Sequence, residues 1–280
     1  MLLDETLHFV WRGLRKRHRD VPLFAIVGYG KLGGKELGYA SDLDIIFMHD
    51  DPDDDAAENY GRLAQRINTW LTSTTAAGVL YETDLRLRPN GAAGLLVSSV
   101  EAFRDYQFGQ AWVWEHQALT RARAVCGDAD IAAAFEQVRI DVLCQKRDLD
   151  ELRREVIGMR RKMRDGHPNK SELFDLKHDA GGIVDVEFIV QYLVLGYAAQ
   201  HPRLTGNIGN LALLNLAASL ELIPAELARQ TVDAYRLFRT RQHALRLQGE
   251  RYARLEQEEV ADGITAVRAL WSWVFDDARA

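Results

Sequence analysis

Two aspartates stand two residues apart in the run Ser41-Asp42-Leu43-Asp44-Ile45-Ile46-Phe47, just after the glycine-rich turn Gly30-Lys31-Leu32-Gly33-Gly34. Side chains alternate faces along a strand, so Asp42 and Asp44 point one way while Leu43 and Ile45 point into a core. Carboxylates held side by side repel each other and lose hydration, and a chain keeps such a pair chiefly when a cation neutralises it. Hard oxygen ligands beside a phosphate cradle suit Mg²⁺ carrying a nucleoside triphosphate. A third acid, Asp84, lies on the charged face of the alternating segment 80–88, together with Glu82, Arg86 and Arg88. A neighbouring strand would bring Asp84 beside Asp42 and Asp44 and complete a three-carboxylate, two-metal site. Arg86 and Arg88 would then reach phosphate oxygens.

Each signal has a plainer alternative when taken alone. Gly28-Tyr29-Gly30-Lys31-Leu32-Gly33 matches the GxGxxG of dinucleotide-binding turns, with Asp50 and Asp51 at the next strand end. Against that reading, few residues separate the turn from the next strand, leaving little room for a crossover helix, and that strand carries two acids. The P-loop pattern fails outright, because Lys35 is followed by Glu36. Asp42 and Asp44 could sit at a solvated strand end, although Ile45-Ile46-Phe47 places them at the mouth of a buried one. Asp84 could belong to an ordinary solvent-facing strand. Asp50, Asp51, Asp53, Asp54 and Asp55 surround Pro52 without EF-hand spacing and read as a solvated turn. Trp112, Trp114, Trp271 and Trp273 read as core, and His116 and His243 as packing or helix-surface residues. Arg153, Arg154, Arg160 and Arg161 read as the solvated face of a helix, with phosphate or partner contacts as the second possibility. Asp185 and Glu187 suit a helix N-terminus.

These residues must be positioned by a fold that 280 residues can build as one large domain or two modest ones. A 47% hydrophobic and 27% charged composition is that of an ordinary globular protein, and a net charge of −6 argues against a general nucleic-acid binder. Cys126 and Cys144 are isolated, which fits reduced thiols of a cytoplasmic protein. No signal peptide is expected from Met1-Leu2-Leu3-Asp4-Glu5, and the apolar stretch 188–199 is too short to span a bilayer. Leu3, Leu7, Val10 and Leu14 mark a helix within 1–19; residues 22–28 and 42–48 read as strands, 57–72 as a helix, 80–88 as a strand, and 99–107 and 112–123 as helices. Beyond about residue 148 strand signals vanish and helical stripes take over. The expected organisation is an α/β domain over 1–147 followed by an all-helical domain over 148–280.

Four segments carry a resemblance across nearly the whole chain: 28–44, 81–94 (Tyr-Glu-Thr-Asp-Leu-Arg-Leu-Arg-Pro-Asn-Gly-Ala-Ala-Gly), 114–123 (Trp-Glu-His-Gln-Ala-Leu-Thr-Arg-Ala-Arg) and 174–188 (Phe-Asp-Leu-Lys-His-Asp-Ala-Gly-Gly-Ile-Val-Asp-Val-Glu-Phe). The first resembles the Gly-turn and DxD signature of the DNA polymerase β nucleotidyltransferase superfamily, and all four are similar to segments of the glutamine synthetase adenylyltransferase family. The resemblance implies an α+β nucleotidyltransferase fold, a short mixed sheet with helices, followed by an all-helical bundle. It implies AMP transfer from ATP to a tyrosine hydroxyl of glutamine synthetase in the cytoplasm, with two Mg²⁺ on Asp42, Asp44 and Asp84. Triphosphate contacts would come from Gly30, Lys31, Gly33, Gly34, Ser41, Arg86 and Arg88. Lys31 stands where many superfamily members place Ser, so the contact there is expected to be ionic.

The family usually carries two modules in tandem, one removing AMP and one adding it. The 81–94 and 114–123 segments look like the C-terminal, adenylylating copy, and the presence of one module suggests a fragment. PII signalling protein and glutamine are the regulators that the family implies, with no nucleic acid or membrane partner. Phosphorolytic removal of AMP on the same fold, an NAD(P)-dependent oxidoreductase and a regulatory module with an inert acidic site stay open as rivals.

Overall fold

In a computed structural model, residues 1–39, 41–76 and 78–276 are described. The chain divides into two compact units, with the boundary between Val142 and Leu143. Arg147 belongs to the second unit, where its guanidinium donates to the carbonyls of Leu143 and Leu195.

The first unit begins with α1 (Leu2–Arg12), β1 (Phe24–Gly28), α2 (Gly30–Gly33), β2 (Leu43–His49) and α3 (Ala56–Thr72). A small hairpin of β3 (Thr74–Thr75) and β4 (Gly78–Val79) follows, then β5 (Thr83–Asp84), β6 (Val97–Ser99), α4 (Val100–Gly109), α5 (Val113–Leu119), β7 (Arg123–Gly127) and α6 (Ala129–Leu143). β1 is buried at every residue and pairs antiparallel with both β2 and β7. The free edge of β2 is shared by two parallel partners, β5 at Leu43 and Asp44 and β6 from Phe47 to His49. The result is a small mixed sheet. Leu43, Ile45 and Phe47 join Leu7, Trp11, Tyr60, Leu63 and Ile67 from α1 and α3 in one core, which turns Asp44 to the opposite side of the sheet.

This topology removes the dinucleotide reading of the glycine turn. β1 and β2 are antiparallel neighbours joined through a four-residue helix, whereas a dinucleotide fold needs a parallel pair and a crossover helix. The expected strand over 80–88 shrinks to β5, because the Arg86 N–H donates to Asp84 Oδ1 and turns the chain, and Asn90 and Gly91 then adopt positive φ. The helix expected over 112–123 stops at Leu119, and Arg123 opens β7 instead, since pairing with buried β1 outweighs local helical pattern. Trp112 and Trp114 are exposed, not core; α5 buries Glu115, His116, Gln117 and Leu119 instead.

The aspartate run at 50–55 hides a buried group. The Asp51 side chain is 0% exposed, accepts from Tyr60 Oη at 2.6 Å and His18 Nε2 at 2.8 Å, and lies 3.2 Å from Arg19 Nη1. Burial pushes its carboxyl up, but the bonds from Tyr60, His18 and the Asp53 N–H, with the Arg19 charge, outweigh it and hold the pKa below the ordinary carboxylate range. The unfolded chain therefore binds the proton first as pH falls, and the stabilisation present at neutral pH is lost as pH drops through the folded value. Asp51→Ala is expected to cost about 3 kcal/mol at pH 7 by leaving these donors unmatched. Urea unfolding at stepped pH should show the loss, and the variant should lack the wild-type acid dependence contributed by this group.

The second unit contains α7 (Leu149–Asp165), β8 (Phe174–Asp175), α8 (Ile183–Tyr197), α9 (Asn210–Ser219), α10 (Ala225–Leu247), β9 (Arg254–Leu255) and α11 (Ala261–Phe275). Asp148 caps α7 by accepting from the Asp150 and Glu151 N–H groups. α8 is apolar and buried along most of its length, with α7, α9, α10 and α11 packed on it. The unit is mostly helical, but β8 and β9 pair antiparallel, so it is not purely helical as expected. No helix among the described residues is long and apolar enough to cross a membrane.

Candidate active site

Asp44 and Asp84 are direct cross-strand partners in the parallel pairing of β2 with β5. The pairing is fixed on each side: the Leu43 N–H donates to Glu82 O at 2.9 Å, the Tyr29 N–H donates to Asp44 O at 2.8 Å, and Thr83 Oγ1 donates to Asn68 Oδ1 at 2.5 Å. Gly30 opens α2 with φ of +52°, and a Cβ at that position would collide with Asp44 Oδ2. The glycine therefore supplies both the left-handed backbone and the space in which the Asp44 carboxylate lies. Asp42 is exposed just ahead of β2. Buried Ser41 accepts from the Gly38 N–H at 3.1 Å, while its own N–H donates to Gly38 O, which closes the loop leading to Asp42.

Arg86 ties the three acids together electrostatically. Its Nε lies 3.0 Å from both Asp84 carboxylate oxygens and its Nη2 lies 2.5 Å from Oδ2, while the side chain stays 79% exposed. The Asp84 hydrogen bond raises the Arg86 pKa most, and the charges of Asp44 and Asp42 add to it. In turn the Arg86 hydrogen bond holds the Asp84 carboxyl below the usual carboxylate range. Among the described residues no three acidic, histidine or cysteine side chains form a ready metal cluster, and Asp84 is engaged with Arg86.

The hydrogen bonding shows where the other expected contact residues lie. The Gly33 and Gly34 N–H groups donate to Tyr29 O and Gly30 O inside the α2 turn. Their lack of side chains serves packing: a Cβ on Gly33 would collide with Arg121 O, and one on Gly34 would lie 2.6 Å from Arg121 Nε. Arg88 donates to Leu85 O at 2.7 Å, Ala92 O at 3.1 Å and Gly94 O at 3.3 Å, which makes it a staple of the 85–94 loop. Its charge still lowers the Asp84 pKa. Lys31 is half-buried on α2.

Two residues outside the expected set brace the glycine turn. Arg121 Nη2 donates to Glu36 Oε2 at 2.8 Å, and Arg123 donates to Gly33 O at 3.1 Å and Leu32 O at 3.3 Å. They are spaced two apart where α5 gives way to β7; Arg123 satisfies carbonyls at the end of α2 while Arg121 holds the Glu36 carboxylate just beyond it. Their i, i+2 spacing was the available signal, hidden by the helical reading of 112–123. A cavity of about 530 Å³ opens beside Asp42, with Tyr39, Ser41, Leu80, Tyr81 and Glu82 in its walls. That volume falls in the range of small-molecule sites.

A family model for glutamate-ammonia ligase adenylyltransferase matches residues 2–138, and one for GlnD PII-uridylyltransferase matches residues 147–267. Three curated relatives carry the name bifunctional glutamine synthetase adenylyltransferase/adenylyl-removing enzyme. That of Aromatoleum aromaticum is 62% identical over 99% of this chain and 30% of its own length. That of Nitrosomonas europaea is 57% identical over 98% and 31%, and that of Burkholderia pseudomallei 56% over 98% and 30%. The chain thus spans a little under a third of the length of these relatives. Both units are matched by family models, and the chain is similar almost end to end to these relatives.

Proposed function

We propose that this chain transfers AMP from ATP to a tyrosine hydroxyl of glutamine synthetase, releasing pyrophosphate. The observation that carries the reading is the registered pair Asp44 and Asp84, with Gly30 shaped around the Asp44 carboxylate. The relatives' shared name supports the same substrate. The first unit is read as a polymerase-β-type nucleotidyltransferase fold and the second as the helical bundle of that family.

Asp42, Asp44 and Asp84 would hold two Mg²⁺; their all-oxygen donor set, and the cationic Arg86 lying on Asp84 now, fit that ion. When bound, the metal supplies charge neutralisation of the triphosphate and polarisation of the α-phosphorus. The tyrosine oxygen attacks the α-phosphorus in line; the new O–P bond forms as the bond to the bridging oxygen of pyrophosphate breaks. The hydroxyl proton passes to the Asp84 carboxylate, directly or through water. Arg86 moves from Asp84 to phosphate oxygens, with Lys31 and the Gly30 turn completing the anion contacts and Ser41 holding the loop beside the nucleotide cavity. We place the chain in the cytoplasm, with PII signalling protein and glutamine as regulators; the match of 147–267 to the PII-uridylyltransferase model supports the former.

Arg86 competes with a cation for Asp84, so Arg86→Gln has opposite expected effects on two ligands. Metal binding without nucleotide should tighten several-fold, while KM for ATP should rise about tenfold through loss of a charge-assisted phosphate contact. Calorimetry with Mg²⁺ and steady-state kinetics with ATP check the two arms. The function itself is tested with labelled ATP, Mg²⁺ and unmodified glutamine synthetase, read by the mass of the acceptor. A shift of one AMP on a tyrosine is expected, and an unmodified acceptor overturns the reading. The relatives' name also covers removal of AMP, so a parallel sample holds adenylylated synthetase and phosphate. ADP formed there without transfer in the first sample would favour the reverse direction.

A further inference from the structure

The buried stripe of α7 runs Leu152, Val156, Arg160, so a guanidinium sits where an apolar residue would continue the pattern. Arg160 is only 5% exposed. Its Nε donates to Asp185 Oδ1 at 2.5 Å and its Nη2 to His178 O at 2.8 Å, while Asp185 Oδ2 accepts from the Gly181 N–H at 2.6 Å. The remaining nitrogen, Arg160 Nη1, is buried with no hydrogen-bond partner. A charged donor left unmatched away from water is costly, so such a group in a folded protein calls for an explanation. Arg160 also lines a cleft of about 330 Å³ together with Arg161, Arg164, Arg268, Trp271 and Asp185. Among the described residues, four arginines and one carboxylate line the cleft; both oxygens of that carboxylate are engaged, and Arg268 Nε donates to Ala180 O.

We infer that this cleft is a binding site for the phosphate group of a small molecule, separate from the Asp42, Asp44 and Asp84 centre. A purely structural role for Arg160 accounts for Nε and Nη2 but neither for Nη1 nor for the three further arginines gathered at the same cleft. Planar guanidinium forks match the oxygens of a phosphate, and the excess of positive charge suits a dianion better than a single carboxylate. Trp271 gives the cleft an apolar wall, so the phosphate can be free or carried on a small organic group. The site rests on residues of the second unit alone and stands independently of the transfer reaction proposed above.

The test is calorimetric titration of the full 280-residue chain with inorganic phosphate, then with AMP, at low ionic strength and with chelator to remove divalent ions. Saturable binding is expected, weakening as salt is raised. Arg161→Gln and Arg164→Gln, both at exposed positions, should each weaken it about tenfold with unchanged unfolding temperature. The double variant Asp42→Asn/Asp44→Asn should bind as wild type does. Arg160→Lys should weaken binding further if it folds, but the two exposed positions carry the test. AMP binding at least as tightly as phosphate identifies an organic phosphate as the ligand, and exclusion of AMP identifies the free anion; either upholds the site. No saturable binding, binding indifferent to Arg161 and Arg164, or binding lost with Asp42 and Asp44 overturns it.

Discussion

Asp44→Asn is expected to lower AMP transfer by at least about 1,000-fold, some 4 kcal/mol of transition-state stabilisation, without unfolding the chain. Asp44 is the central acid of the proposed site, paired with Asp84 across the strands and lying against Gly30. Its backbone carbonyl already accepts from Tyr29, and that bond survives the substitution. The core residues Leu43 and Ile45 on either side keep β2 in register, so circular dichroism and the unfolding temperature should barely move. Removing the negative charge weakens the hold on a divalent cation and relieves repulsion with Asp42 and Asp84, so stability could even rise slightly. The measurement is transfer of labelled AMP to glutamine synthetase, alongside Mg²⁺ titration of wild type and variant. Transfer within tenfold of wild type would falsify the assignment of Asp44 as a metal-holding acid.

Gly30→Ala attacks the same carboxylate through the backbone. The added Cβ would occupy the position of Asp44 Oδ2, and φ of +52° is strained for any residue with a side chain. Strain of about 1–2 kcal/mol should appear as a modest loss of stability. The larger effect is displacement of Asp44, and a shift on the order of 1 Å at a reacting centre can cost about 100-fold in rate. A fall of that size in kcat, with a higher Mg²⁺ requirement, is the expected result. Gly33→Ala is the informative comparison, because its Cβ would meet the Arg121 carbonyl and not a carboxylate. It should damage stability more than it changes the Mg²⁺ requirement.

The candidate acids of the first unit were legible because their signals are local. The spacing of Asp42 and Asp44 places them on one strand side, and the Ile45-Ile46-Phe47 run tells which side is the core. Asp84 was legible as a candidate from its alternating neighbours, but its pairing with Asp44 depends on β5 joining the edge of β2, some forty residues earlier in sequence. The same local pattern places Arg88 on the Asp84 face, where its charge lowers the Asp84 pKa. The chain turns at Arg86, and the Arg88 donors go to loop carbonyls. Asp51 misled: its neighbours suggest a solvated loop, while its partners His18 and Tyr60 come from distant segments.

By itself the sequence determined which residues could bear charge toward a triphosphate, that the second half would be largely helical, and which proteins the chain resembles. Those follow from residue type and short spacing, which survive in a one-dimensional string. Only the tertiary structure decided which glycine amides are spent on the α2 turn, which arginines clamp it, and that Arg160 keeps one buried nitrogen unmatched. Hydrogen bonds are exclusive and saturable, so whether a donor is left for a ligand depends on every acceptor that folding brings within reach.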